Sequence, residues 1–394
     1  MNITIVGGGF GGVKTALELA SEPGNQITLI TDKPEFQYYP ALYGAATGHS
    51  HLQSWVPLDT IFAHKKNVTV ILDTIETIDP EAKSLHGKSS TDYTYETCVL
   101  ALGTVTTYFG IKGLAAHSFG IKSADEIMEL KKHIYTDIVE GRGVDKRYIV
   151  IGAGPTGVEL AAALGMYLKD LRKHFSAGDS NIHVALIEAA PRVLPRMSEK
   201  SSEKALRRLE KLGVKVQTGK TVESADEDAI TVSGDFMTSD TIIWTSGVAN
   251  HPFYKANANH FKLAPNGRVV VDEYMQANKD VYIIGDNAAT PFTGLAQTAL
   301  HDALFIAAHL KRVHENAPLV TYKAVMPPVI VPLGENWAVC EWRKLRLSGW
   351  PASLLRRAAD FMGYSDMLPL GQALGVWRAR KERHDKHVPE STLE

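Results

Sequence analysis

The chain contains 394 residues, of which 44% are hydrophobic and 22% are charged, and its formal net charge at pH 7 is −2. This length exceeds the size of one hydrophobic core, so we expect two or three domains. The near-neutral charge argues against general nucleic-acid binding. Cys98 and Cys340 lack the spacing of a disulphide framework, a metal site or a dithiol redox pair. Because no apolar run approaches the roughly 20 residues that span a bilayer, any membrane contact should be peripheral.

The N-terminal part predicts a domain in which strands and helices alternate. Residues 2–6 predict a buried strand, followed by the turn GGGFGG, a helix through about Ala20 and a strand at 26–30. This order is the βαβ unit that binds dinucleotides. Beyond it we predict an aromatic loop over DKPEFQYYPALYGAATGHSH, a helix near 54–64, and strands at 68–72, 83–87 and 93–103.

The same order begins again after Gly113. We predict helices at 123–140, from Gly157 onward and at 198–212, and strands at 148–152, 183–188, 213–219, 229–234 and 240–247. Residues 268–288 read as a return to the first module, and a helix follows at 295–313. The predicted fold class is therefore α/β, with two Rossmann-like domains. One domain comprises 1–113 and 251–320, the other (114–250) is inserted in it, and 321–394 form a separate C-terminal region.

Each module contains a glycine pattern typical of nucleotide binding. The first glycine permits a tight turn, the second lets a pyrophosphate approach the backbone, and the third lets helix and strand pack closely. The free N–H groups of the following helix then face the phosphates. The two sets are Gly7, Gly9 and Gly12 in the first module, and Gly152, Gly154 and Gly157 in the second.

An acidic residue after the second strand of such a unit hydrogen-bonds the adenosine ribose. Glu188 takes this place in the inserted module, and Asp32 is the candidate in the first. A carboxylate at this position repels the additional phosphate of NADP, which favours NADH. Arg192 lies four residues beyond Glu188 and could instead pair with that phosphate.

Two further strand ends resemble the disulphide-reductase-like flavoproteins, whose fold is that of glutathione reductase. They are CVLALG, ending at Gly103, and DVYIIGDNA, which contains Gly285 and Asp286. The resemblance implies that Asp286 hydrogen-bonds the ribityl chain of FAD. It thus assigns FAD to the first module and NAD to the inserted one.

The resemblance narrows to the type II NADH dehydrogenases, which are single-subunit NADH:quinone oxidoreductases. It is carried by GGGFGG, FQYYPALYGAATG, GAGPTGVELA, LIEAAPRVLP, IIWTSGV, IIGDNA and AQTALHDA, in the family's order over roughly residues 3–310. It implies FAD, NADH as donor, a quinone as acceptor, no proton pumping, and attachment to the cytoplasmic face of the cell membrane. The further cofactor-binding residues that it implies are Phe10, Gly11, Pro40, Gly247 and Ala296.

Three residues are candidates for catalysis. Glu159 occupies the first helical turn after the second glycine pattern, where it either stabilises the helix N-terminus or, by resemblance, lies between nicotinamide and flavin. The matching residue of the first module is Lys14. Gln297 and His301 share a helix face, but the family's quinone pattern A-Q-x-A-x-Q has Gln where this chain has His301. A structural histidine is the alternative at that position.

The C-terminal region is basic and amphipathic. From Trp342 to Lys386 it contains ten Lys and Arg residues and four Asp and Glu residues. Apolar residues recur at helical spacing at Leu354, Leu355, Ala358, Phe361, Met362, Leu370, Leu374 and Trp377. Such helices suit an anionic membrane surface. A homodimer interface, or a helix packed on the FAD domain, is the alternative.

Two other functions share both nucleotide motifs. A soluble NAD(P)H-dependent reductase would pass electrons to a ferredoxin- or rubredoxin-like protein instead of a quinone. A redox-sensing flavoprotein would hold its electrons without enzymatic turnover. The expected activity nevertheless remains transfer of a hydride from NADH to FAD and of two electrons on to a membrane quinone.

Overall fold

The structure, a computed structural model, describes residues 1–139, 145–176 and 181–381. Glu140, the predicted end of one helix, and Arg383 and Lys386 of the basic region lie outside the described residues. The helices, numbered in chain order, are α1 (Phe10–Leu19), α2 (Leu42–Ala46), α3 (Leu58–Phe62), α4 (Ala124–Val139), α5 (Pro155–His174), α6 (Glu199–Lys211), α7 (Pro252–Ala256), α8 (Ala296–His314), α9 (Trp350–Ser365) and α10 (Leu370–Ala379).

A six-stranded sheet forms the centre of the first module. Its strands are apolar because both faces are covered, as is usual for parallel sheets. All its neighbouring strands pair in parallel except the first two in sheet order, which are antiparallel. In spatial order the strands are Gln276–Asn278, Val281–Ile283, Thr97–Leu100, Asn2–Val6, Gln26–Thr31 and Val68–Leu72.

A four-stranded parallel sheet forms the centre of the second module. Its strands, in spatial order, are Val214–Thr218, Ile182–Glu188, Lys146–Ile151 and Thr241–Trp244. All of them fall in sequence between the strands of the first sheet, and the ribbon of Thr104–Thr106 with Val248–Asn250 joins the two modules. The predicted fold class, two Rossmann-like domains with one inserted in the other, is confirmed.

Smaller antiparallel sheets flank these two centres. They are formed by Glu35–Gln37 with Trp55–Pro57, by Ile75–Asp79, Ser84–Gly87 and Asp92–Thr94, and by Val222–Ala225, Ala229–Val232 and Asp235–Thr238. Two predictions are wrong here. The helix predicted near 54–64 is a strand followed by the short α3, because Pro57 disfavours helical geometry at the residue before it. The strand predicted at 93–103 is two strands, Asp92–Thr94 and Thr97–Leu100.

The C-terminal region is not separate. A three-stranded antiparallel sheet (Val329–Pro332, Ala338–Trp342 and Leu345–Gly349) precedes α9 and α10. Its Val331, Leu333 and Val339 join the core of the second module, whereas Tyr364, Met367, Leu368 and Ala373 join the core of the first. The region therefore packs against both modules.

Candidate active site

The glycine turn of the first module leaves space for a phosphate. Gly7 has a φ of +116°, and a Cβ there would collide with the carbonyl oxygen of Ala101. A Cβ on Gly12 would collide with the carbonyl oxygen of Gly7, so helix and strand pack at backbone distance. Among the described residues, by contrast, nothing lies within 4 Å of the place that a Cβ on Gly9 would take. The open side of this turn fits a pyrophosphate at the N-terminus of α1.

The second glycine turn repeats this geometry. Gly152 has a φ of +103°, and a Cβ there would collide with the hydroxyl of Ser246. A Cβ on Gly157 would strike the carbonyl oxygen of Gly152. The position of a Cβ on Gly154 has no described neighbour within 4 Å. Each module therefore presents one open cradle at a helix N-terminus, which fits two dinucleotides.

The acid of the second module is held by the backbone. Glu188 ends its strand, and its carboxylate accepts hydrogen bonds from the N–H of Ala153 (2.5 Å) and of Ala190 (2.8 Å). Each carboxylate oxygen keeps a lone pair for a ribose hydroxyl. The guanidinium of Arg192 donates to the carbonyl oxygens of Met197 (2.5 Å) and Pro195 (2.7 Å). Since those two bonds occupy Arg192, it is poorly placed to neutralise a phosphate beside Glu188.

Acidic side chains converge on the cleft of the first module. Asp32 directly follows the strand Gln26–Thr31 and is exposed, while Asp286 accepts the N–H of Gly294 at 2.9 Å. Burial raises the pKa of Asp286. The ring of Tyr39 lies near both carboxylates, and half of its surface is exposed. Burial raises the pKa of Tyr39, and the charges of Asp286 and Asp32 raise it further.

Asn287 is a site residue that the sequence analysis missed. Its Oδ1 accepts the N–H of Gly103 at 2.8 Å, and its Nδ2 donates to the carbonyl oxygen of Gly103 at 2.6 Å and to Oδ1 of Asn250 at 2.6 Å. The side chain thereby joins the end of one strand of the first sheet to the end of its neighbour. The GDN sequence after an apolar strand was the available signal, because Asn at such a turn bonds nearby backbone.

The other predicted cofactor-binding residues have mixed surroundings. The ring of Phe10 is buried against Phe36 at 4.9 Å, and a Cβ on Gly11 would approach the side chain of Ile284 to 3.0 Å. The carbonyl oxygen of Gly247 accepts from Nζ of Lys122 at 3.3 Å. Ala296 is the first residue of α8. These contacts place Phe10 and Gly11 in the packing of the first module.

Glu159 lies in the second turn of its helix, not in the first as the sequence analysis placed it. The helix begins at Pro155, two residues before the predicted start, because Pro is favoured at a first helical position. The Glu159 side chain is buried, with the residue only 8% exposed. Stabilisation of the helix N-terminus falls off within the first turn, so it does not account for a carboxylate here.

A buried arginine from α9 pairs with Glu159. Nη1 of Arg356 lies 3.0 Å from Oε1 of Glu159, and both side chains are 10% exposed. Burial raises the pKa of Glu159 to about 7, although the guanidinium of Arg356 opposes the shift. Arg356 also donates to Oδ1 of Asp360 (2.9 Å) and to the carbonyl oxygens of Ile330 (3.1 Å) and Pro40 (2.6 Å). One guanidinium thus joins the second module, the C-terminal region and the aromatic loop of the first module.

The remaining candidates lie on α8. Gln297 is exposed in the first turn. Nε2 of His301 donates to the carbonyl oxygen of Lys323 at 2.9 Å, and its ring lies 5.6 Å from that of Tyr322. This contact agrees with the alternative interpretation, in which His301 is a structural histidine. A catalytic role for either residue stays a prediction.

Known proteins share this architecture and these motifs. The sequence profile of the pyridine nucleotide-disulphide oxidoreductases matches residues 1–303. The type II NADH:quinone oxidoreductase Ndh of Mycobacterium tuberculosis is 30% identical over 335 residues, covering 78% of this chain and 72% of the relative. This chain belongs to that family. NdhA of the same organism is 29% identical, covering 95% of this chain and 86% of the relative. The resemblance predicted from the sequence motifs is therefore confirmed.

A solved structure agrees with the fold of this family member. The NDH2 of Plasmodium falciparum in complex with NADH superposes with a TM-score of 0.84, covering 96% of this chain and 97% of the other. Sequence identity to it is 18%. The likeness extends through the C-terminal region, so the three-stranded sheet, α9 and α10 belong to the common architecture.

Proposed function

We propose that this protein oxidises NADH at the inserted module and reduces a membrane quinone, with FAD as its cofactor. FAD, when bound, takes up a hydride from NADH and supplies two electrons to the acceptor. The sum is NADH, a proton and a quinone giving NAD⁺ and a quinol. The observation that carries the proposal is Glu159, a buried acid paired with Arg356 at 3.0 Å, on the helix that follows the second glycine turn.

The two clefts bind and orient the dinucleotides. The N–H groups at the start of α1 and α5 hold the pyrophosphates, and Glu188 holds the adenosine ribose of NADH. Asp32 and Asp286 bind the ribose and the ribityl chain of FAD. The N-terminus of α8, at Ala296 and Gln297, would hold the flavin ring, and its dipole would favour negative charge there. Gln297 would bind the acceptor.

Glu159 takes up and releases a proton in the proposed reaction. The quinol contains one proton more than the hydride supplies, and a carboxyl with a pKa of about 7 can hold a proton and release it near neutral pH. Arg356 fixes the orientation of this carboxyl through their 3.0 Å contact. The same contact limits how far burial raises the pKa of Glu159, which keeps the acid in its working range.

The outer face of α9 attaches the protein to the membrane. Its exposed residues are apolar and recur at helical spacing: Trp350, Leu354, Leu355, Ala358 and Met362. We call this set the apolar stripe. Trp350, Leu354 and Met362 are 70%, 58% and 66% exposed, and the exposed cations Arg343, Lys344 and Arg346 precede the helix. Apolar residues beside cations fit the surface of anionic lipids, here at the cytoplasmic face.

None of the helices in the described residues has the length and apolar character needed to cross a bilayer. Attachment through the apolar stripe is therefore the proposed membrane contact. A second copy of this chain is the competing occupant of the stripe. Sedimentation with and without anionic vesicles distinguishes the two, because a dimer would persist when lipid is absent.

Steady-state oxidation of NADH by the purified protein tests the activity. We expect turnover with soluble quinone analogues and one non-covalent FAD per chain. Turnover with a ferredoxin- or rubredoxin-like protein and none with any quinone would instead establish a soluble reductase. A flavin that NADH reduces but that no quinone reoxidises would indicate the redox-sensing alternative.

A further inference from the structure

A buried carboxylate on α8 holds the turn that contains Asp286. Asp302 is 0% exposed. Its Oδ2 accepts the N–H of Gly285 at 2.9 Å, and its Oδ1 accepts the hydroxyl of Tyr322 at 2.6 Å. Both oxygens of a completely buried acid are therefore used, one on the turn Gly285–Asn287 and one on the segment that follows α8.

This carboxylate connects two elements that face the FAD cleft. Gly285 has a φ of +66° and directly precedes Asp286, whose carboxylate accepts the N–H of Gly294 at 2.9 Å. α8 begins at Ala296, so Asp302 lies in its second turn. Without Asp302 the buried N–H of Gly285 would lose its acceptor, which is unfavourable for a buried polar group. The bond thus fixes the turn to α8, whose N-terminus would hold the flavin in the proposed site.

The charge of Asp302 also acts on the FAD cleft. Burial raises the pKa of Asp302, and the neighbouring charge of Asp286 raises it further, whereas the bonds from Tyr322 and Gly285 lower it. The Tyr322 pKa is raised in turn, so its hydroxyl stays a donor. The negative charge of Asp302 stands directly behind the turn that contains Asp286, and charge repulsion makes the addition of electrons nearby less favourable.

We propose that Asp302 is a positioning residue for FAD that sets both the affinity for the flavin and its reduction potential. It acts through Gly285 and α8 and does not touch the cofactor. The affinity follows from the fixed turn. The potential follows from the negative charge, which makes electron uptake by the flavin less favourable. The inference rests on the proposed FAD site and is independent of the quinone.

Two substitutions separate the bonds from the charge. In Asp302→Asn the amide oxygen can accept the N–H of Gly285 while the amide nitrogen donates to Tyr322, so the contacts remain and the charge is lost. Asp302→Leu removes both. Tyr322→Phe removes one of the two hydrogen bonds to Asp302. It can be measured if the leucine variant does not fold. Tyr282→Phe is the matched control, because its hydroxyl contacts α8 at His309 (3.4 Å), away from Gly285.

The measurements are FAD titration of the apoprotein, the flavin midpoint potential at pH 8, and the melting temperature without FAD. We expect Asp302→Leu to weaken FAD binding at least tenfold and Asp302→Asn to stay within about threefold. We expect Asp302→Asn to raise the potential by a tenfold shift of the two-electron equilibrium, about 30 mV. The Tyr282→Phe control should change neither quantity.

Unaltered FAD affinity in both Asp302→Leu and Tyr322→Phe, with only a lower melting temperature, would reduce Asp302 to a packing role. An unchanged potential in Asp302→Asn would overturn the electrostatic part. Neither readout uses a quinone, so failure of the proposed activity and failure of this inference are distinguishable.

Discussion

Matching positions of the two glycine-turn helices carry opposite charges, Glu159 on α5 and Lys14 on α1, and both side chains contact the C-terminal region. Glu159 on α5 pairs with Arg356 at 3.0 Å. Lys14 on α1 donates to the carbonyl oxygen of Asp366 at 3.3 Å, just beyond the end of α9. Lys14 also pairs with Glu18 on its own helix at 2.8 Å, whereas Glu159 takes its counter-charge from α9.

Substituting Glu159 tests the proton step. Glu159→Gln keeps the shape and removes the ionisable group, so we expect FAD content to be unchanged and turnover to fall at least about tenfold. The wild-type rate should decrease as the pH rises through about 7, where the acid loses its proton, and this dependence should be absent in the variant. The exposed Glu203 offers the control Glu203→Gln. Equal pH profiles for wild type and Glu159→Gln would remove Glu159 from the mechanism.

Arg356 should set the pH at which Glu159 titrates. The guanidinium lowers the Glu159 pKa, so in Arg356→Leu we expect the inflection of the pH–rate profile to move to higher pH. Arg356→Lys keeps a cation and should retain most of the wild-type profile. The measurement is turnover from pH 5.5 to 9 with FAD content normalised. A shift to lower pH would contradict the assigned pairing.

Glu188 should decide between the two nicotinamide donors. We expect kcat/KM for NADH to exceed that for NADPH by at least about tenfold, which is about 1.4 kcal/mol. Glu188→Ser should narrow the ratio because it removes the repulsion of the additional phosphate. Arg192→Ala is the control, since that guanidinium bonds Pro195 and Met197. A large gain or loss of NADPH activity in Arg192→Ala would assign the selectivity to the arginine instead.

At the scale of elements, α9 has the ion pair of Arg356 and Asp360 on its protein side and the apolar stripe on its outer side. Arg356 is buried and Asp360 is mostly enclosed, whereas the apolar stripe faces outward. In water this arrangement is unfavourable, since burial of a charge costs free energy and exposure of apolar surface recovers none. It is the distribution expected of a helix that is bound to protein on one side and to an apolar environment on the other.

Charges placed in the apolar stripe should release the protein from lipid. We expect Leu354→Glu with Met362→Glu to abolish co-flotation with anionic vesicles while reduction of a water-soluble acceptor by NADH stays near the wild-type rate. Leu304→Glu is the matched control, because Leu304 is an exposed apolar residue of α8 (47%). Unchanged flotation together with loss of a dimer would assign the stripe to a second copy of this chain.

At the scale of the whole molecule, the sequence predicted those features that short stretches of the chain determine. The two glycine turns and the turn at Asp286 each follow directly on a buried strand, so the sequence pattern was sufficient to locate these turns. Arg356 was different, because its contact with Glu159 spans 197 residues and its contact with Pro40 spans 316. In sequence it reads as one more cation of a basic amphipathic helix. The C-terminal sheet was missed because its strands are short and pack on cores formed earlier in the chain.

Loss of FAD should destabilise the whole chain, since in the proposed site the cofactor connects a turn at Gly9 and a turn at Asp286. A ligand at a thousand times its Kd adds about 4 kcal/mol to the free energy of unfolding. We therefore expect the melting temperature to fall when FAD is removed and to recover when it is added back. Calorimetry of apoprotein and reconstituted protein measures this difference. Equal melting temperatures would mean that FAD does not link these parts of the fold.

The order of strands in the first sheet has a consequence for synthesis of the chain. Val281–Ile283 pairs with Thr97–Leu100, so the latter strand leaves the ribosome long before its neighbour does. At about 5–20 residues per second, the synthesis from residue 100 to residue 281 takes roughly 10–40 s. During that time the nascent sheet presents an unpaired edge, which is a template for pairing with other chains. The strands of the second sheet, all within 146–244, emerge in this interval. Until translation supplies the partner strand, the nascent inserted module and chaperones are what can cover this open edge.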